Sequence, residues 1–254
     1  MRTWNVVAVL AVSTALTAGC SEDPAPAEPT IVLVHGSFSD SSSWDAVAGQ
    51  LRERGYPVVQ VDNPLRGLRS DADAVTAAIA DVRGPVVLVG HSYGGAVISN
   101  MRRADVSAVV FVAGFAPAEG EAVQQLSDPA KYPGSRLGPA LRIRPTETGA
   151  EATLAAEQYG EVFAQDVSAE IASKLAARQR STAAAAQAEP SGEPLWTSVP
   201  SWYVLSTEDR ALPPASQRFQ AERAKAQVRE VNSSHAVQVS HPDEVTAVIV
   251  AAAD

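Results

Sequence analysis

The sequence predicts an α/β protein: a mostly parallel, six-stranded sheet flanked by helices, with a helical cap inserted into it. Three observations carry this. Short β-branched runs alternate with helix-like stretches up to residue 113 and again from residue 202; that order builds parallel strands joined by helical crossovers, with helices on both faces of the sheet. The interval 115–195 interrupts the alternation and turns alanine-rich. A serine stands between two glycines where the third run gives way to a helix, in Gly90-His91-Ser92-Tyr93-Gly94. At 254 residues, 46% hydrophobic and 19% charged, the chain is long and apolar enough for one globular domain carrying an insertion.

The elements follow in order. Residues 31–34 form a strand ending at His35-Gly36, and an amphipathic helix covers 44–54. Ser39 to Ser43 read as a polar loop capping that helix, since Ser and Asp are favoured at helix N-caps. A strand at 58–61 and a helix at 71–82 come next, then a strand at 86–89 that runs through the serine turn into a helix reaching about residue 103. A strand at 108–113 closes the first half at Gly114. Within the interruption, 151–159 and 168–188 have helical composition. Lying after the fourth strand, the insertion belongs above the carboxyl ends of the strands, where it would act as a lid; the alternative is a helical elaboration that covers nothing. The last elements are a strand at 202–206, a helix at 214–225, a strand at 228–231 and a helix from Pro242. In such sheets ligands bind beyond the carboxyl ends of the strands.

The first residues are not part of this fold. Arg2, an apolar segment at 6–16 and Thr17-Ala18-Gly19-Cys20 read as a lipoprotein-type signal peptide over 1–20, too short to span a membrane. Cys20, the single cysteine, is then the lipidation site, and the acidic, Pro-rich stretch 21–29 is an extended tether to the domain at 30–254. An exported lipoprotein anchored on the outer face of the cell membrane follows. The alternative is a plain signal peptide and a secreted soluble protein. The net charge of −9, with 20 basic residues that form no stripe, argues against nucleic acid as a partner. Oligomeric state leaves no mark in the sequence.

The pentapeptide alone says little, because Gly-x-Ser-x-Gly arises by chance in roughly one chain in ten of this length. Its context adds more. A serine hydroxyl needs a base to take its proton, and the chain has four histidines. His35 reads as a loop residue, His91 sits beside the serine with its ring directed away, and His241 precedes a helix start and reads as exposed. That leaves His235, after the last strand. The base needs a carboxylate to orient it, and Thr207-Glu208-Asp209 follows the preceding strand; Asp209 is preferred over Glu208. The order Ser92, Asp209, His235 is the one this strand–turn–helix nucleophile requires. The amide of Tyr93 and one from the loop after the first strand, Ser37 in preference to Phe38, would stabilise an oxyanion.

These residues resemble the α/β-hydrolase superfamily, in its bacterial serine esterase-like branch related to plant methylesterases and hydroxynitrile lyases. The similarity runs from residue 31 to the C-terminus, through Val-His-Gly at 34–36, Gly-His-Ser-Tyr-Gly-Gly at 90–95, Thr-Glu-Asp at 207–209 and Ser-His at 234–235. The resemblance implies the α/β-hydrolase fold with a helical cap, no metal and no cofactor, and catalytic roles for Ser92, Asp209 and His235. The lyases of that group carry a threonine after the first-loop histidine and a lysine after the catalytic histidine; this chain has Gly36 and Ala236, which points to ester hydrolysis. The expected partner is a small-molecule ester, with Phe38, Phe115, Tyr159, Phe163 and Trp196 as candidate substrate contacts. A cofactor-free lyase or perhydrolase on the same scaffold, and a non-catalytic binding lipoprotein, are the competing readings. Loss of ester hydrolysis in a Ser92 variant separates the enzyme from the binder.

Overall fold

The computed structural model of the chain describes Met1 and residues 28–254 apart from 148. The predicted signal peptide beyond Met1 and nearly all of the predicted tether, Cys20 included, lie outside the described residues.

Strand β1 (Thr30–Val34) is buried along its whole length. A short 3₁₀ turn, Ser41–Trp44, then leads into α1 (Asp45–Glu53). The turn is capped by Asp40, whose carboxylate accepts a bond from the Ser42 amide at 3.1 Å, as the polar loop predicted. There follow β2 (Val58–Val61), α2 (Leu68–Ala78), β3 (Val86–His91), α3 (Tyr93–Ser99) and β4 (Val106–Val112). Helix α2 begins three residues before the predicted start, behind an extended Gly67. Helix α3 stops at Ser99, short of the predicted end near 103, with Asn100 as its C-cap.

The interval between β4 and the next strand of the main sheet is more mixed than predicted. It holds α4 (Val123–Leu126), α5 (Leu137–Ala140), β5 (Leu141–Thr146), β6 (Gly149–Leu154), α6 (Ala156–Phe163), α7 (Ala169–Arg178), β7 (Thr182–Ala183) and α8 (Ala184–Ala188). The two predicted helices are corrected here. Residues 149–154 are a strand hydrogen-bonded to β5 on one side and β7 on the other, giving a small antiparallel sheet in the order β5-β6-β7. Pairing on both edges overrides alanine's preference for helix. The second segment breaks after Arg178, where the Gln179 amide copies a backbone partner: its oxygen accepts from Leu154 N at 2.8 Å and its nitrogen donates to Leu154 O at 2.9 Å.

The main sheet resumes with β8 (Ser201–Ser206), α9 (Pro214–Arg223), β9 (Gln227–Val231), α10 (Val237–Ser240) and α11 (Pro242–Ala253). Its six strands run in the order β2-β1-β3-β4-β8-β9, every pair parallel, the architecture predicted.

Strand periodicity sets the two core layers. Ile31, Leu33, Val87, Val89, Val110 and Val112 face the 3₁₀ turn, α1 and α11, where Trp44, Leu51, Val245 and Ile249 meet them. Val32, Val34, Leu88, Val109 and Phe111 point the other way, onto Leu68, Val75, Val97 and Ile98 of α2 and α3. Each such aliphatic side chain, fully withdrawn from water, contributes roughly 1.5–3 kcal/mol. The central strands are therefore fixed from both faces, and their carboxyl ends form a rigid rim.

Candidate active site

Ser92 sits at that rim. The turn from β3 into α3 is so tight that its backbone takes φ 52°, ψ −124°, a region that costs a non-glycine residue free energy and persists only when the surroundings enforce it. They do so by close packing. A Cβ on Gly94 would lie 2.4 Å from the Val34 carbonyl oxygen, and one on Gly36 would lie 2.6 Å from Ser92 Cβ. Only glycine lets the helix start and the β1 loop approach the serine this closely.

His235 lies in the loop after β9, and its Nδ1 is 2.6 Å from Asp209 Oδ2. Both residues are buried. Asp209 is held in turn: its Oδ1 accepts from the amides of Ala211 and Leu212, each at 2.8 Å, and its Oδ2 also accepts from Gln217 Nε2 at 2.8 Å. The neighbouring Glu208 faces solvent. Gln217, on α9, gave no signal in the sequence; a glutamine in a polar-looking helix does not announce that it turns inward.

The His235 loop is clamped from three directions. His91 Nε2 donates to the His235 carbonyl at 2.9 Å. The Ser234 amide donates to Asp166 at 2.8 Å, and the Ala236 amide to the Phe163 carbonyl at 3.0 Å. The Phe163 ring stands edge-on to the His235 imidazole, centroids 4.6 Å apart. Asp166 and Phe163 thus hold the loop on either side of the histidine.

The other histidines take the places expected of them, with one correction. His35 donates from Nδ1 to the Gly36 carbonyl and accepts the Asn63 amide at Nε2, 3.0 Å away, tying the β1 loop to the β2 loop. His241, predicted exposed, is half-buried, with Nδ1 2.9 Å from Ser240 Oγ and 3.7 Å from Asp166.

Burial pushes the pKa of both His35 and His91 down, that of His91 well below its ordinary value of 6.5. Each ring takes up its proton at a lower pH in the fold than in the unfolded chain. A depressed folded-state pKa gives stability that is present above the unfolded value and lost as pH falls. The unfolding free energy measured in urea should therefore fall on acidification below about pH 6.5, with a slope approaching about 1.4 kcal/mol per pH unit from His91 and a further loss in the same direction from His35. A flat profile from pH 7 to 5.5 would contradict this.

Ser92 and His235 both line a cavity of about 230 Å³ between the rim and the insertion. Ser37, Phe38, Phe115 and Phe163 line it too, as do Leu137, Leu141, Ala211 and Leu212, which the sequence did not single out. Two of the predicted contacts lie elsewhere. Tyr159 is one layer back, its hydroxyl donating to the Phe38 carbonyl at 3.0 Å. Trp196 packs against the core and donates from Nε1 to the Pro117 carbonyl at 3.1 Å, under the Arg223 guanidinium. Both aromatics are bulky and apolar because they fill space.

The Tyr93 side chain leaves the cavity: its hydroxyl donates to the buried Asp71 at 2.8 Å. Burial beside that carboxylate raises the phenol pKa, so it stays protonated. The Tyr93 amide remains at the helix start, where backbone N–H groups and the helix dipole favour negative charge. A Cβ on Gly36 would be 3.2 Å from that nitrogen, which places the β1 loop against it. The Ser37 hydroxyl accepts from Gln187 Nε2 of α8 at 3.1 Å.

Residues 31–248 match the model of the alpha/beta hydrolase family. An alpha/beta hydrolase, nvfD, of Aspergillus novofumigatus is 23% identical over 245 residues, 87% of this chain and 95% of that one. An 85-residue stretch is 39% identical to a nonribosomal peptide synthetase, agiA, of Aspergillus flavus; it covers 29% of this chain and 1% of that protein. Among solved structures, polyneuridine aldehyde esterase superposes with a TM-score of 0.78 at 20% identity, covering 90% of this chain and all of that one. A pyrethroid hydrolase from Sphingobium faniae gives 0.76 at 22% identity, covering 89% and 97%.

Proposed function

The chain belongs to the alpha/beta hydrolase family, and from that premise we propose that it is a serine carboxylic-ester hydrolase acting on small-molecule esters through Ser92, His235 and Asp209. The observation that carries the reading is the 2.6 Å contact between Asp209 and His235, with His235 lining the same cavity as Ser92 on its strained turn.

The chemistry follows from the placement. With Nδ1–H directed at Asp209, the other ring nitrogen is free to accept the Ser92 proton. Ser92 Oγ attacks the ester carbonyl, and His235 becomes an imidazolium stabilised by the adjacent carboxylate. The negative charge on the carbonyl oxygen is met by the amides of Tyr93 and Ser37. Collapse expels the alcohol, which takes the proton back from His235, and leaves an acyl group on Ser92. A water that gives its proton to His235 then attacks the acyl carbon, and the acid departs. The apolar wall of Phe38, Phe115 and Phe163 suits an acyl or aryl portion of modest size.

Gly36 and Ala236 support hydrolysis over the lyase reading, since neither places a hydroxyl or a cation beside the leaving group. Release of p-nitrophenol from its acetate and butyrate esters by the purified chain tests the proposal; inertness across a broad ester panel would refute it. We further propose that the enzyme is exported and held on the outer face of the cell membrane by a lipid on Cys20. In cells given a labelled fatty acid, the label should appear on the wild-type protein and be missing from Cys20→Ser.

A further inference from the structure

The loop after β1 carries the amide proposed as the second oxyanion donor, but it lies beyond the hydrogen-bond ladder of the sheet. Strand β1 ends at Val34, and the bonds between His35 and Asn63, at 3.0 and 3.3 Å, tie the first residue beyond it to the β2 loop. Further along, Phe38 takes φ 59°, a left-handed conformation that a bulky side chain keeps only where its surroundings impose it. Those surroundings include the insertion. Tyr159 of α6 donates its hydroxyl to the Phe38 carbonyl at 3.0 Å, and Gln187 of α8 donates from Nε2 to Ser37 Oγ at 3.1 Å. Arg178 of α7 donates to the Asp40 carboxylate at 3.0 Å. Three helices of the insertion thus each reach a different residue of one loop. Arg178 is exposed, and an exposed ion pair adds little. Tyr159 is fully buried and Gln187 half-buried, so their bonds carry the hold. Burial, with the Asp40 carboxylate adding to it, raises the Tyr159 phenol pKa and keeps the hydroxyl a donor. A phenylalanine would pack on Phe163 in the same way; what the hydroxyl adds is the bond to the loop.

We propose that Tyr159 and Gln187 are positioning residues for the oxyanion: from the insertion, they hold the β1 loop in the conformation that presents the Ser37 amide to the developing charge. The proposal rests on the serine esterase reading. It gives the insertion a part in the chemistry besides lining the cavity, since one of the two oxyanion donors is set in place by it. Oxyanion donors act only if they are aimed before the charge forms. A loop released from either bond spends part of its time misaligned, and the rate falls with the competent fraction.

The test uses Tyr159→Phe and Gln187→Leu with p-nitrophenyl butyrate. Each should lower kcat about fivefold to tenfold, the worth of one hydrogen bond, with KM little changed. Inhibition by an alkyl trifluoromethyl ketone, which adds to the serine and develops the oxyanion, should weaken by the same factor. Inhibition by the plain ketone of the same chain should stay as in wild type, and so should the acid limb of the pH profile set by His235. Ser37→Ala keeps the amide and removes the acceptor, so it should match Gln187→Leu, and the double variant should be no worse than either single one. If Tyr159→Phe fails to fold, the Ser37 and Gln187 cycle decides alone. An unchanged kcat, equal weakening of both ketones, a loss confined to KM, a shifted acid limb or additive losses in the Ser37 and Gln187 cycle would each overturn the assignment with ester hydrolysis itself intact. A wild type that cleaves no ester at all would overturn the parent reading and this one with it.

Discussion

Ser92→Ala is expected to lower kcat for p-nitrophenyl butyrate on the order of 10⁶-fold, to a residual rate supplied by substrate binding and the oxyanion donors alone. The unfolding midpoint should move little. The serine is buried at the end of β3 with φ 52°, and the conformation is imposed by the packing of α3 and the β1 loop around it, not by the hydroxyl. Alanine inherits the same backbone and loses only the nucleophile. KM should change by a small factor, because the acyl wall of Phe38, Phe115 and Phe163 is untouched. Steady-state kinetics with a urea titration of both proteins decides this. A variant that kept a tenth of the wild-type rate would mean that another group attacks the ester.

The second large effect belongs to Asp209→Asn, which should cut kcat by about 10⁴-fold with the fold preserved. The direction follows from the donors around the carboxylate. Oδ1 accepts two backbone amides, from Ala211 and Leu212, so an asparagine must keep its carbonyl oxygen there. Its amide nitrogen then falls where Oδ2 was, against His235 Nδ1 and Gln217 Nε2. Gln217 cannot simply turn over, because its oxygen accepts the Ser206 amide at 3.0 Å and its nitrogen donates to the Leu212 carbonyl at 2.9 Å. His235 is left to accept at Nδ1 and carry its proton on Nε2, where it can no longer take one from Ser92. A loss of less than tenfold would show that Asp209 does not set this tautomer.

The parts of the molecule that follow local rules were legible in the sequence. The β-branched runs became the six parallel strands, and the requirement for glycine beside Ser92 reads directly from the contacts at Gly36 and Gly94. Elimination among four histidines pointed to the one that the fold sets against Asp209. What escaped depends on contacts distant in the chain. The strand 149–154 looks helical by composition, and becomes extended because β5 and β7 flank it. Gln217 and Asp71 are polar residues on helices, where pattern alone assigns them to solvent; one holds the Asp209 carboxylate and the other the Tyr93 hydroxyl. Trp196, at the end of the insertion, reads as a substrate contact in the sequence because an aromatic there looks alike whether it lines a cavity or fills a gap.

The central claim is that Ser92 is a nucleophile activated by His235, and covalent trapping tests it most directly. After incubation with a fluorophosphonate, intact-mass measurement should show one phosphonyl group per wild-type chain, located on Ser92 by peptide mapping, with no adduct on Ser92→Ala and much slower labelling of His235→Ala. A wild-type protein that hydrolyses esters yet takes up no phosphonyl group, or carries it on another residue, would contradict the claim.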